Sequence, residues 1–284
     1  MSRIPTPAEI AAAVELACRL EADAPKPGNV QPGRPFGDMS HRDFVVSGAA
    51  IAPVLAHAGD RPLGETILSA VDATRRVTAA NTNLGIILLM APLTKGALAS
   101  ATSLRAGVRR VLAATTVADA EQSYAAIRLA GAGGMGSSGT QDLSGAPTVN
   151  LLEAMRLAAD RDAIAGEYAT GFAITFGETL PSLRQARRDG LEWPDAVVES
   201  YLAVLAARPD TLIGRKLGAA AAAAVSEQAL AVQLAGGVRT GHGRTMIAAF
   251  DASLSDPHNS RNPGTTADLV AAGILALLLA DGLN

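Results

Sequence analysis

Apolar positions along this chain recur at spacings of three and four, and strict β-branched alternation is almost absent. In the first segment Ile10, Val14 and Cys18 share one face, which is the period of an amphipathic helix and not of a strand. Followed to the end, the pattern predicts helices near 7–22, 41–57, 63–80, 84–91, 96–113, 117–130, 149–160, 161–180, 182–189, 194–207, 211–235, 243–254 and 266–281. The punctuation agrees. Thr6-Pro7-Ala8-Glu9 reads as a capping box with proline at the first helical position, and Ser40-His41-Arg42-Asp43 and Thr116-Val117-Ala118-Asp119 repeat the box. Asp210, Thr148 and Thr265 or Thr266 are further N-cap candidates. Alanine, which fixes no rotamers in a helix, fills much of the remainder, and the run Ala219 to Ala224 lets helix axes approach closely. No repeat and no break in composition divides the chain. The expected fold is all-α: a single compact multi-helix bundle of about 12 helices, one domain over residues 1–284. Three loops, 24–39, 131–147 and 254–263, exceed the usual connection and are where function is expected.

Composition narrows the partners. Of 284 residues 49% are hydrophobic, too many for a disordered chain. Lys and Arg number 24 against 27 Asp and Glu, a net charge of −3, with aromatics at 3%. A nucleic-acid binder would carry a basic stripe or stacking aromatics, so none is expected. The lone Cys18 forms no internal disulfide, reads as inert core, and fits a reducing, cytoplasmic setting. The longest apolar run, Leu269 to Ala280, reaches only about 18 Å as a helix against the ~30 Å of a bilayer. It reads as a buried helix, and Met1 to Ile10 holds no apolar signal segment, so no membrane is expected.

Several polar clusters interrupt the apolar pattern. Lys26 stands between Pro25 and Pro27, which stiffen the chain and present the ammonium to a phosphate or merely to water. Asp38 and Asp43 follow, the latter occupied as a capping residue. Asn81-Thr82-Asn83 divides two apolar stretches and either caps a helix or lines a pocket. Gly131-Ala132-Gly133-Gly134-Met135-Gly136 matches the dinucleotide fingerprint in letters only, because a helical segment precedes it. It reads as a mobile connection or a loop closing over a ligand, with Asp142 at its end. Glu167 sits among apolar neighbours where a solvated carboxylate is unnatural. Asp210 with Arg215 and Lys216 forms either a surface ion pair or an anion site. Asp268 opens the last helix, and the four histidines lack metal-ligand spacing.

Taken in order, Pro25-Lys26-Pro27-Gly28, Asp38-Met39 before Asp43-Phe44 and Ser47, Asn81-Thr82 with Gly85, Gly166-Glu167 before Gly171-Phe172, Asp210-Thr211, and Pro263-Gly264 with Ala267-Asp268-Leu269 resemble the triphosphoribosyl-dephospho-CoA synthase family. The resemblance implies a helical transferase that moves the triphosphoribosyl part of ATP to the ribose of dephospho-CoA and releases adenine. The implied cofactor is Mg2+, the partners are these small molecules, and a homodimer is allowed. The implied roles are Glu167 or Asp38 as acceptor of the attacking hydroxyl's proton, Asp210 and Asp268 as magnesium ligands, Lys26 and Arg215 against phosphate, and Asn81 and Thr82 on ribose or base. The family's His-Lys after Asn-Thr is Asn83-Leu84 here, its Arg before Gly-Glu is Ala165, its Asn after Asp-Thr is Leu212, and its Arg-Gly-Gly is blurred into Arg215-Lys216-Leu217-Gly218. These departures mark a divergent branch. Three alternatives stay open: biosynthesis of a one-carbon carrier cofactor of the methanopterin or methanofuran type, a nucleotide- or cofactor-binding protein without catalysis, and a plain helical scaffold consistent with the Ala-rich faces.

Overall fold

The computed structural model describes residues 3–37, 39–131 and 141–282. Its helices are α1 (Pro7–Asp23), α2 (His41–Ala56), α3 (Leu63–Val77), α4 (Leu84–Ala99), α5 (Leu104–Ala113), α6 (Val117–Ala130), α7 (Leu151–Ala158) and α8 (Ala163–Thr170). They continue with α9 (Leu180–Arg188), α10 (Trp193–Ala207), α11 (Thr211–Leu217), α12 (Ala219–Leu234), α13 (Gly241–Leu254) and α14 (Gly264–Asp281). Among the described residues there is no strand, only an isolated bridge between Gln31 and Arg34. The all-α expectation holds.

The helix boundaries follow local chemistry. The three capping boxes form: Glu9 accepts from the Thr6 amide at 2.8 Å, Asp43 from Ser40 at 2.8 Å, and Asp119 from Thr116 at 2.8 Å. Asp119 also accepts from the Gly64 amide at 2.8 Å, so this cap ties α6 to the start of α3. Three predicted helices break, one of them 96–113 at residues 100–103. The stretch 161–180 is interrupted at Gly171 and Phe172, both at positive φ (66° and 62°), and resumes in a π-helical turn, Thr175–Thr179. The stretch 211–235 breaks at Gly218, with φ of 90°. Conversely, α4 runs through Pro92 to Ala99 where the pattern predicts a break, and the chain then bends by 109° into α5. Gly96 and Gly107 permit that fold-back, since a Cβ on Gly107 would lie 2.1 Å from the Gly96 carbonyl oxygen. Thr148 is not a cap: Asn150 takes the role by accepting from the Glu153 amide at 2.9 Å. Thr265 and Thr266 are not caps either, because α14 begins at Gly264 without a side-chain cap.

At the centre lies α14, buried from Thr265 to Leu278 almost without interruption and packed against α1, α4, α9 and α10. Its 18 residues are long and apolar enough to cross a membrane, yet 72% of the window is buried in protein. One hydrophobic core extends from Ile10 to Leu278 and includes Cys18, whose thiol burial pushes upward in pKa. The arrangement brings the C-terminal end of α1 and the N-terminal ends of α4, α8, α11 and α14 to one side of the molecule.

Candidate active site

Those helix ends surround a cavity of about 1140 Å³. Its wall holds Glu21 from α1, Asn29 from the following loop, Asn81 to Ile86 at the start of α4, Asp160 to Asp162 before α8, Arg215 and Lys216 from α11, and His258 to Asp268 leading into α14. Two non-glycine residues in that wall, Gln141 and Asn259, have positive φ (59° and 48°). Backbone held in such conformations concentrates at functional sites.

The loop after α1 owes its shape to distant helices. The Tyr201 hydroxyl donates to the Pro27 carbonyl at 2.7 Å, and the Gly28 amide donates to Asp251 Oδ1 at 2.9 Å. Gly28 has φ of +74°, and a Cβ there would meet Leu254 at 2.7 Å, so both its conformation and its packing require glycine. This clamp turns Lys26 inward. Its ammonium is fully buried, 3.0 Å from Glu21 Oε1, and it also donates to the carbonyls of Glu21 and Ala24.

At the opposite wall, Thr82 shares a 2.7 Å hydrogen bond with Ser47, and Thr74 donates to Asn83 Oδ1 at 3.0 Å. Asn83 precedes α4 without capping it by its side chain, and its buried Nδ2 has no partner. The first turn of α4 therefore opens toward the cavity. Against it stands Asp268: a Cβ on Gly85 would fall 2.0 Å from Asp268 Oδ2. The Asp268 carboxyl accepts no hydrogen bond from any described residue. Burial, then the charges of Glu21, Asp210 and Asp162, push its pKa well above the usual carboxylate range. Arg215 donates to Asp162 Oδ2 at 2.6 Å, and its buried Nε is unpartnered, as is Asn262 Oδ1. Buried polar atoms left unpaired typically cost about 1–3 kcal/mol each, and three of them in one cavity wall point to a ligand that completes them.

A family model described as CitG: ATP:dephospho-CoA triphosphoribosyl transferase matches residues 7–284. The chain belongs to this family. A Klebsiella pneumoniae protein named 2-(5''-triphosphoribosyl)-3'-dephosphocoenzyme-A synthase is 32% identical over 106 residues, 37% of this chain and 37% of its own length. A Pseudomonas putida protein given the same name provisionally is 35% identical over 102 residues, 36% of each chain. The match thus spans little more than a third of the curated relatives' length. A solved Archaeoglobus fulgidus protein, provisionally named for the same synthase class, superposes with a TM-score of 0.64 at 28% identity, over 84% of this chain and 99% of its own.

Within this family member, the predicted site residues divide. Asn81, Thr82, Arg215 and Asp268 meet in the cavity wall. Asp38 lies outside the described residues. Lys26, read as presented to a ligand, is instead enclosed by Glu21 and two carbonyls, because the clamped loop turns it into the protein. Glu167 does not face the cavity. Its carboxylate accepts from the amides of Ile174 at 2.7 Å and Thr175 at 2.8 Å and from the Thr175 hydroxyl, capping the turn that follows the Gly171 break. Asp210 is likewise saturated. One oxygen caps α11 at Leu212 and Ile213 (2.8 and 3.1 Å), and the other accepts from the Thr266 amide and hydroxyl (2.7 and 2.8 Å).

A resident magnesium site on Asp210 and Asp268 therefore does not fit, since no lone pair of Asp210 faces the cavity. Among the described residues no group of three or more His, Cys, Asp or Glu could hold a metal. Magnesium arriving on a nucleotide needs few protein oxygens. The residue missed from the sequence is Glu21. It continues the face of Ile10, Val14 and Cys18, and a carboxylate on an apolar face was the available signal. The Gly-rich run 132–136 lies outside the described residues.

Proposed function

We propose that this chain transfers the triphosphoribosyl part of ATP to a hydroxyl of dephospho-CoA or a closely related acceptor and releases adenine. The observation that carries the reading is that two carboxylates, Glu21 and Asp268, line one cavity, the latter against the open first turn of α4. Breaking a glycosidic carbon–nitrogen bond develops positive charge on the sugar, and paired carboxylates serve this chemistry by stabilising that charge and moving protons. Asp268 keeps its proton in the buried wall and gives it to the departing base. Arg215, through its unpartnered Nε, and the exposed Arg161 and Lys216 at the cavity rim receive the phosphates. Asn81 and Thr82 orient the ribose. The cavity, at about 1140 Å³, exceeds the roughly 300–1,000 Å³ of an ordinary single-ligand pocket, as a site for two nucleotide-sized substrates must. Relatives named as synthases favour this reading over a one-carbon carrier acceptor. The test is incubation with ATP and dephospho-CoA, followed by chromatography for adenine and mass analysis of the acceptor. Acceptor-dependent adenine release is expected, and tight binding of both substrates without it would leave a non-catalytic binder.

A further inference from the structure

We propose that Glu21 is the base that takes the proton of the attacking hydroxyl, and that Lys26 is its positioning residue. The inference rests on the transfer reading above and deepens it by giving Glu21 a specific step and Lys26 the task of holding it.

Glu21 lies in the last turn of α1, where a carboxylate opposes the helix dipole. It is only 4% exposed, yet it lines the cavity. A buried ion pair seldom improves stability over apolar side chains of the same volume, so stability alone gives little reason for this one. The two partners are also unequally satisfied. The Lys26 ammonium donates to the Glu21 and Ala24 carbonyls and stands 3.0 Å from Glu21 Oε1 as an ion pair. It is fully buried and turned away from any phosphate in the cavity. Glu21 Oε2, by contrast, accepts from no described residue. The Tyr201, Asp251 and Gly28 contacts that lock the loop therefore brace a lysine that fixes one oxygen of Glu21 and leaves the other for a ligand. Glu21 and Asp268 line the same cavity, and the charge of Glu21 helps hold the Asp268 carboxyl above its usual range.

The protons balance. The acceptor hydroxyl gives its proton to Glu21 Oε2 as its oxygen bonds to the anomeric carbon. The carbon–nitrogen bond breaks, its electron pair leaves with the purine, and the purine takes the Asp268 proton. Glu21 ends protonated and Asp268 ionised, and exchange through solvent restores both. No further reactant is required.

Because Glu21→Gln leaves a buried lysine unpaired, the deciding variant is Glu21→Gln with Lys26→Met, which removes both charges while keeping volume. Its folding is checked by thermal melting and its ATP affinity by calorimetry. The expected result is native-like folding and ATP binding, with kcat for adenine release lowered about 100-fold or more. A second variant, Glu21→Asp, keeps the ion pair but shortens the reach. It should lower kcat about tenfold or more with KM for ATP unchanged. A folded double variant, or Glu21→Asp, with kcat within threefold of the parent overturns the assignment. Absence of adenine release from the parent protein itself overturns the transfer reading instead, so the two failures are distinguishable.

Discussion

At the scale of single residues, the site depends on a glycine as much as on its acids. Gly85 is helical, so alanine there would gain up to about 1 kcal/mol in intrinsic propensity. The added methyl would nevertheless fall 2.0 Å from Asp268 Oδ2 and 2.8 Å from Ile164 Cδ1, and the carboxylate is the neighbour with room to give. Gly85→Ala is therefore expected to melt within a few degrees of the parent while losing about tenfold or more in adenine release, because the proton donor is displaced. Comparing kcat with melting temperature checks this. Parental turnover in the alanine variant would mean that Asp268 does not act from the position it holds against α4.

Between elements, two of the acids read as site residues in sequence, Glu167 and Asp210, turn out to be joints. Glu167 bridges a helix break and Asp210 ties α11 to α14, each by saturating a carboxylate with donors. Asp210→Ala would strand the amides of Leu212, Ile213 and Thr266, and is expected to lower unfolding free energy by about 3 kcal/mol or more. Urea titration with an unchanged m-value would register that loss. Glu167→Gln is expected to destabilise by about 1–3 kcal/mol with turnover per folded molecule preserved; a selective loss of kcat would return Glu167 to the chemistry. These two residues show where sequence reasoning stops. Periodicity and capping boxes revealed nearly every helix, since those signals lie within four residues of one another. Whether a buried acid faces a cavity or an amide depends on chain brought from elsewhere, as Thr266 is brought to Asp210 across 56 positions. The converse held for Glu21 and Asn83. The first was not singled out and the second could cap a helix or line a pocket, and only the convergence of helix ends around one cavity decides their place. Pro25-Lys26-Pro27-Gly28 was legible as a stiff, unusual loop, but the inward direction of its lysine was set by Tyr201 and Asp251, far along the chain.

For the molecule as a whole, the wall that holds Asp268 makes a linked prediction about stability and rate. Burial and neighbouring acids raise its pKa in the folded protein, whereas the unfolded chain titrates near 3.9. Between those two values the folded state retains a proton that the unfolded state has released. Unfolding free energy must then fall as pH rises through the window, because fewer protons are bound on unfolding. Asp268→Asn removes this term. The variant should match the parent's stability below about pH 3, where both states of the parent are protonated, and should exceed it increasingly as pH rises above the unfolded value, until the folded-state carboxyl itself ionises. Urea titrations of the two proteins at several pH values measure the gap. A gap that is constant, or that narrows with pH, would mean the carboxyl is not held protonated by its surroundings. The same wall controls catalysis, so adenine release by the parent should hold through the range where the gap widens and decline where the gap levels off, as the folded-state carboxyl ionises. Stability sacrificed to keep a proton on a buried acid is the trade expected where a site is built for chemistry. It predicts that the asparagine protein is at once the more robust of the two at alkaline pH and the one that releases almost no adenine.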